Sequence, residues 1–189
     1  MRIVAGSLRG RPLAAPTNTA TRPTSDRVRE SIFNILAHGA AATTLDGARV
    51  LDLFAGTGAL GLEALSRGAA FTLFVEEDPS ARATIRNNVE AFGLTGHSKI
   101  FRRDATGMGP AAQMGQYDLA FLDPPYGKGL AELALASLAS GGWLKPNAIA
   151  VVEERAGVTL AWPSGFTPLD ARTYGDTAVA FARYAPALT

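Results

Sequence analysis

From Arg49 onward, short apolar segments alternate with segments of helical periodicity, and this alternation is the strongest constraint on the fold. The strand candidates are Val50–Phe54, Phe71–Val75, Lys99–Arg103, Leu119–Leu122 and Ile149–Glu153. The helical segments between them are Ala59–Ser66, Ser80–Phe92 and Leu130–Ala139. Strands that alternate with helices at this spacing predict an α/β fold, in which a mostly parallel sheet carries helices on both faces.

Two further elements flank this core. At the C-terminal end, Phe166–Arg172 and Ala178–Tyr184 surround a Tyr-Gly-Asp turn, which predicts an antiparallel hairpin and brings the sheet to seven strands. Ahead of the core, one of residues 24–26 caps a helix that runs to about Ala37. Val28, Ile32, Ile35 and Leu36 are assigned to the apolar face of this helix, so Arg27 and Arg29 are expected to face outward.

Composition excludes several classes of site. A chain of 189 residues predicts one domain with a short extension. The absence of cysteine excludes disulfides, thiolate zinc sites, iron–sulfur clusters and cysteine nucleophiles, and two histidines leave little for a metal centre, so we predict no metal. Neither a membrane span nor a secretory signal is present, which predicts a cytoplasmic protein without a membrane partner, and nothing indicates more than a monomer.

Charge is unevenly distributed along the chain. The net charge is +1, yet residues 1–36 contain six arginines against Asp26 and Glu30, so the remainder is negative. We predict a basic N-terminal arm over residues 1–24, formed by a small β-hairpin (Arg2–Ala5 with Pro12–Ala14), and a main domain over residues 25–189. On charge alone, the arm is equally consistent with a nucleic-acid contact and with a solvated terminus.

A glycine-rich loop follows the first strand. Gly56, Gly58 and Gly61 match G-x-G-x-x-G at the start of a helix, and Glu76 follows 20 residues after Gly56, where an acid can bind ribose hydroxyls. NAD and S-adenosylmethionine both fit this pattern. Asp52 favours S-adenosylmethionine, because a carboxylate just before the loop would repel a pyrophosphate. The predicted cofactor-binding residues here are Asp52, Phe54, Gly56, Gly58, Gly61 and Glu76.

The fourth strand ends in Asp123-Pro124-Pro125-Tyr126. Because ligands of open α/β sheets bind at the carboxyl ends of the strands, Asp52, Glu76, Asp104 and Asp123 are expected to converge on one rim. The tetrapeptide resembles the (N/D)-P-P-(Y/F/W) motif of methyltransferases that act on exocyclic amino groups of bases. The resemblance implies that the Asp123 carboxylate and the Pro124 carbonyl accept hydrogen bonds from the amino group, that the prolines hold these acceptors in place and that Tyr126 stacks on the base.

The whole chain resembles the RsmD family, bacterial 16S rRNA guanine-N2 methyltransferases. The resemblance rests on residues 1–13, 21–36 and 50–69, on the Asp-Pro-Pro-Tyr segment and on Tyr174-Gly-Asp-Thr. It implies a Rossmann-like class I methyltransferase fold, S-adenosylmethionine as cofactor and methylation of a guanine amino group in 16S rRNA, within a small-subunit particle. It also implies that Asp104, with Ala105, binds the cofactor's adenine.

In such an enzyme, the basic residues would bind RNA phosphates. The candidates are Arg2, Arg9, Arg11, Arg22, Arg27, Arg29 and Lys128. Two alternatives stay open: adenine-N6 methylation, which uses the same tetrapeptide, and a catalytically silent module that binds S-adenosylmethionine or RNA. A dehydrogenase is disfavoured because no catalytic histidine or lysine and no substrate domain are evident.

Overall fold

The computed structural model describes residues 1–15 and 24–188 of the chain. Its strands are β1 (Arg49–Leu53), β2 (Phe71–Val75), β3 (Ser98–Phe101), β4 (Tyr117–Leu122), β5 (Leu144–Arg155), β6 (Phe166–Tyr174) and β7 (Thr177–Tyr184). Its α-helices are α1 (Asp26–His38), α2 (Ala59–Ser66), α3 (Pro79–Ala91) and α4 (Leu130–Gly141), and short 3₁₀ turns occupy Thr95–His97, Ala105–Gly107 and Ala112–Met114. In the part of the chain so described, no helix is both long and apolar enough to cross a membrane.

The seven strands form a single sheet in the order β3-β2-β1-β4-β5-β7-β6. The first five pair in parallel, whereas β7 lies antiparallel between β5 and β6. The predicted mostly parallel sheet with a C-terminal hairpin is therefore confirmed. Strand order reverses between β1 and β4, where Leu53 pairs with both Val75 and Leu122. The loops that follow β1, β2 and β4 thus begin side by side, which is where open α/β sheets bind ligands.

Helices cover both faces of the sheet. The side chains of α1, α2 and α3 pack on one face with Phe74 and Phe121, and those of α4 pack on the other with Leu53 and Trp143. The helix starts follow local rules: Ser25 caps α1, and Asp78 caps α3 with proline at the first helical position, as predicted. Every residue of α2 is buried, so the glycine loop that opens it is anchored to an immobile core element.

The N-terminal segment, residues 1–15, packs on the body of the protein. Instead of two strands it has one antiparallel bridge between Arg2 and Pro12, so the predicted hairpin is present only as this bridge. Ile3 and Leu13 are buried in the core beneath α1 and α2, and the backbone N–H groups of Val4 and Ala5 donate to Glu63. The segment is therefore part of the core as well as a carrier of charge. Arg22 lies outside the described residues.

The expectation that Arg29 faces outward is wrong, because its side chain is fully buried. The buried face of α1 consists of Arg29, Ile32, Phe33 and Leu36, spaced three, four and seven residues apart, whereas Val28 and Ile35 are only half-buried. The guanidinium lies 2.8 Å from the Asp26 carboxylate and 3.6 Å from the buried Glu63 carboxylate, and it donates to backbone carbonyls of residues 2 and 24. Arg29 thus holds the N-terminal segment to α1 and α2, and it is not available to RNA.

Candidate active site

A cavity of about 890 Å³ opens at the carboxyl ends of the parallel strands. It has the size usual for small-molecule and cofactor sites. Its walls carry five carboxylates and one arginine. The lining residues are Phe54, Gly56, Glu76, Glu77, Asp78, Asp104, Thr106, Asp123, Pro124, Pro125, Tyr126, Leu130 and Arg155. Such walls favour a ligand that carries positive charge and hydroxyl groups.

The three fingerprint glycines serve different purposes in the loop between β1 and α2. Gly56 has a φ of +57°, and a Cβ there would meet only the Phe54 carbonyl oxygen, at 4.0 Å, so glycine is favoured here by the left-handed backbone and not by crowding. Gly61 is required by packing, because a Cβ would come within 2.5 Å of the Phe74 ring and 2.7 Å of the Thr72 methyl group. Gly58 caps α2 in the left-handed conformation. Of the three, Gly56 lines the cavity.

Asp52 lies beneath the loop and does not line the cavity. It is 2% exposed, and its Oδ2 accepts a hydrogen bond of 2.9 Å from the Gly61 N–H. Burial raises the pKa of Asp52 to about 8, against the lowering effect of that hydrogen bond, and the Glu76 charge adds to the rise. Asp52 therefore holds the glycine loop through Gly61, and its contact with a cofactor stays a prediction.

Glu76 and Asp104 reach the cavity as predicted, from the ends of β2 and β3. Glu76 accepts from the Gly56 N–H at 2.8 Å and from the Asp78 N–H at 2.9 Å, so it fixes the glycine loop while each oxygen keeps a lone pair for a ligand. Asp104 caps a 3₁₀ turn through the Thr106 N–H and hydroxyl, both on Oδ1, which leaves Oδ2 free of these bonds. Ala105 is buried beside it and does not line the cavity.

The Asp-Pro-Pro-Tyr segment lines the same cavity as Glu76. Asp123 follows β4 and is partly exposed to the cavity, Pro124 is buried and the Tyr126 ring is half-buried. The Tyr126 hydroxyl donates to Glu153 Oε1 at 3.0 Å and lies 3.3 Å from the Thr177 hydroxyl, so the orientation of the ring is fixed. The Gly127 N–H donates to the buried Glu154, which anchors the loop after the motif.

The sequence interpretation missed two residues near Asp123, namely Thr24 and Glu153. The Thr24 hydroxyl lies 3.4 Å from Asp123 Oδ2 and 2.8 Å from Glu153 Oε2. Burial, reinforced by the nearby charges of Glu153 and Asp52, raises the pKa of Asp123 well above its ordinary value. Burial also raises the pKa of Glu153, against hydrogen bonds from Thr24 and Tyr126 that lower it. In the protein without ligand, Asp123 is therefore harder to ionise than an ordinary aspartic acid.

The predicted RNA-binding residues are dispersed. Arg9, Arg27 and Lys128 are exposed. Arg2 and Arg11 are exposed too, but each donates to a backbone carbonyl, of Gly10 and Ala91 respectively. None of these five lines the cavity.

Arg155, at the end of β5, is exposed and is the arginine that lines the cavity. The sequence interpretation did not predict it as a site residue. Thr106 and Leu130 also line the cavity without having been predicted. The signal for Arg155 was available in the strand pattern, because it follows the predicted strand Ile149–Glu153 by two residues.

Comparison with known proteins gives a consistent result. The family model described as conserved hypothetical protein 95 matches residues 1–183. The protein called ribosomal RNA small subunit methyltransferase D is 40% identical in Escherichia coli over 154 residues, which cover 81% of this chain and 74% of that protein. Its Haemophilus influenzae counterpart is 35% identical over 177 residues, covering 93% of this chain and 89% of that protein.

Solved structures agree with the sequence relatives. The Escherichia coli protein yhhF superposes with a TM-score of 0.84 at 32% identity, over 99% of both chains. An RNA methyltransferase from Salinibacter ruber, solved with S-adenosyl-L-homocysteine, superposes with a TM-score of 0.66 over 89% of this chain and 97% of that one. At 15% identity, the second similarity extends to the fold alone.

Proposed function

The chain belongs to the family of ribosomal RNA small subunit methyltransferase D, as its sequence resemblance predicted, and from this premise we propose that it transfers a methyl group from S-adenosylmethionine to the exocyclic N2 amino group of a guanine in 16S rRNA. The observation that carries the proposal is the cavity itself. The Asp-Pro-Pro-Tyr segment lines the same cavity as Gly56 of the glycine loop and Glu76.

The residues of the cavity fit S-adenosylmethionine. Glu76 has lone pairs for ribose hydroxyls, and Asp104 Oδ2 can accept from an adenine amino group. The five wall carboxylates suit a cation better than a pyrophosphate, which separates this site from that of a dinucleotide enzyme. When bound, the cofactor supplies an electrophilic methyl group on a positively charged sulfur, which keeps the electron pair of the broken bond.

The acceptor side of the site is built to orient an amino group. An exocyclic amino nitrogen is a poor nucleophile because its lone pair is delocalised into the base. Hydrogen bonds to the Asp123 carboxylate and the Pro124 carbonyl would draw its protons aside and leave the lone pair directed at the methyl group. The proline rings restrict the backbone that carries these acceptors, and the Tyr126 ring, fixed through its hydroxyl, offers a stacking face worth about 1–3 kcal/mol.

Positive charge in the cavity favours the ionised form of Asp123. Because its pKa is raised, the Asp123 carboxyl is harder to ionise than an ordinary aspartic acid. A bound sulfonium cofactor would lower that pKa and so favour the carboxylate that accepts from the amino group.

Labelled S-adenosylmethionine, offered together with each of three substrates, tests the proposed function. The substrates are protein-free 16S rRNA, unmethylated small-subunit particles and duplex DNA, and the methylated nucleoside is identified by mass spectrometry. We expect N2-methylguanosine, with the highest yield from particles. N6-methyladenosine would replace the proposal by the adenine reaction, and cofactor binding without any product would favour a silent module.

The exposed arginines supply a second prediction. A triple variant, in which glutamine replaces Arg9, Arg11 and Arg27, should bind RNA more weakly. The slope of its log affinity against log salt should be smaller by about 0.7–0.9 for each phosphate that these side chains neutralise in the parent protein. Binding of S-adenosylmethionine should be unchanged. Arg172→Gln removes an exposed arginine from β6 and is the matched control. Equal slopes for the triple variant and the control would exclude these residues from the RNA interface.

We further propose that the protein acts in the cytoplasm as a monomer. The substrate class supports the location. The surface supports the monomer, because among the described residues the exposed large apolar side chains are Leu133, Val158 and Leu188, too few for a stable interface between copies.

A further inference from the structure

Methyl transfer to an amino group leaves a proton to be removed. The nitrogen forms a bond to carbon with its lone pair and must then lose one hydrogen as H⁺ to return to neutrality. In the proposed complex the base covers Asp123, the carboxyl nearest to that hydrogen, and this closes the direct route from Asp123 to solvent. A second acceptor on the protein side would keep Asp123 in its ionised form.

Such an acceptor lies behind the motif. Thr24 Oγ1 is 2.8 Å from Glu153 Oε2 and 3.4 Å from Asp123 Oδ2, and its hydroxyl carries one proton. A hydroxyl between a carboxylate and a protonated carboxyl group donates to the first and accepts from the second. The shorter distance assigns the donation to Glu153, so Asp123 is the group that donates to Thr24 when it is protonated.

Glu153 is placed to be the proton acceptor. It is 6% exposed, yet it receives two donors, the hydroxyls of Thr24 and Tyr126, which stabilise a carboxylate. The two donors come from distant parts of the sequence and meet on one side chain of β5. The same side chain therefore fixes the Tyr126 ring and faces the hydroxyl that contacts Asp123.

We propose that Thr24 and Glu153 form a proton relay with Asp123, through which the proton lost by the substrate amino group reaches Glu153. The amino proton passes to the Asp123 carboxylate. Asp123 Oδ2 then gives a proton to Thr24 Oγ1, while Thr24 passes its own to Glu153 Oε2. Asp123 ends as a carboxylate and Glu153 as a carboxylic acid, so protons and charges balance. Thr24 and Glu153 act only through Asp123, as positioning residues that also carry the proton. The relay rests on the proposed function.

A pair of nearly isosteric substitutions tests the relay. Thr24→Val removes the hydroxyl and keeps the shape, whereas Thr24→Ser keeps the hydroxyl. Thr24→Val should lower kcat by about 10²-fold, at the lower end of general acid–base contributions, with the Kd for S-adenosylmethionine and the KM for RNA nearly unchanged. Thr24→Ser should stay close to the parent enzyme. Glu153→Gln should lower kcat as Thr24→Val does, because an amide still accepts from Tyr126 but cannot take up a proton.

Infrared spectroscopy of the protein without cofactor, at a pH low enough to protonate Asp123, gives a readout that does not depend on turnover. The carbonyl band of the protonated Asp123 carboxyl, identified by its loss in Asp123→Asn, should shift to higher frequency in Thr24→Val, because the hydrogen bond to the hydroxyl is gone. The band should stay in place in Thr24→Ser.

The outcomes separate the relay from the proposed function. A parent enzyme that methylates no guanine contradicts the function, whatever the variants do. A parent enzyme that turns over, with a kcat of Thr24→Val or of Glu153→Gln within about threefold of it, contradicts the relay and leaves the function intact, since a threefold change is less than 1 kcal/mol of barrier. An Asp123 band that is unmoved in Thr24→Val contradicts the assigned hydrogen bond.

Discussion

Asp123→Ala should lower kcat for RNA methylation by at least about 10³-fold, because it removes both the acceptor that orients the amino group and the first site for its proton. The Kd for S-adenosylmethionine should change by less than about tenfold, since Glu76 and Asp104 remain in place. Single-turnover kinetics with saturating cofactor measure the first quantity, and calorimetric titration measures the second.

Asp104→Ala is the matched control, because it removes another carboxylate from the same cavity. This variant should weaken cofactor binding and leave kcat at saturating cofactor close to that of the parent enzyme. If both variants lost cofactor affinity and kept kcat, Asp123 would be a cofactor ligand and the proposed chemistry would be wrong.

Thermal unfolding distinguishes loss of chemistry from loss of structure. The pKa of Asp123 is raised in the folded protein, so the carboxyl destabilises the fold more and more as pH rises above the value of the unfolded chain. Asp123→Ala should therefore unfold at a temperature no lower than the parent protein. Its advantage should widen between about pH 5 and about pH 8. A lower Tm at both pH values would show that Asp123 stabilises the fold.

The parts of the site that lie within short motifs could be predicted from the sequence. Glu76, Asp104 and Asp123 come together because each follows a parallel strand, and strand ends meet at one edge of the sheet. Thr24 was missed because it contacts Asp123 from 99 positions away, through a segment whose path is set by tertiary packing. Glu153 carried a usable signal, since it is the last residue of a predicted parallel strand, next to the rim where Asp123 lies.

The fold prediction was correct where it rested on the periodicity of apolar residues. It was wrong where the charge of a residue was given priority over its spacing. The mostly parallel sheet followed from the alternation of strands and helices, and the hairpin followed from its turn. Arg29 was treated as a surface residue because of its charge, although its spacing from Ile32, Phe33 and Leu36 places it on the buried face. The compensating carboxylates of Asp26 and Glu63 are what make that burial tolerable, and Glu63 belongs to a different helix that sequence spacing does not connect to α1.

Arg29→Met should lower the free energy of unfolding by about 3 kcal/mol, because it leaves the Glu63 carboxylate buried with less compensation. For a chain of this length, that loss corresponds to a fall in Tm of about 6–12 °C. Methionine preserves most of the side-chain volume, so the effect reports charge and hydrogen bonding more than a cavity. Denaturant unfolding of the two proteins, analysed as two-state transitions, measures the difference.

Arg27→Met is the matched control on the same helix, since Arg27 is exposed. Arg27→Met should change the free energy of unfolding by less than about 0.5 kcal/mol and should reduce the salt slope of RNA binding. Arg29→Met should instead lower the free energy of unfolding and leave the salt slope unchanged. Adding Glu63→Gln to Arg29→Met should recover part of the lost stability, because the uncompensated charge is then removed. If Arg29→Met cost less than about 1 kcal/mol, the buried pair would not be what holds the N-terminal segment to α1 and α2. The different effects of replacing Arg27 and Arg29, two positions apart, would then need a cause other than burial.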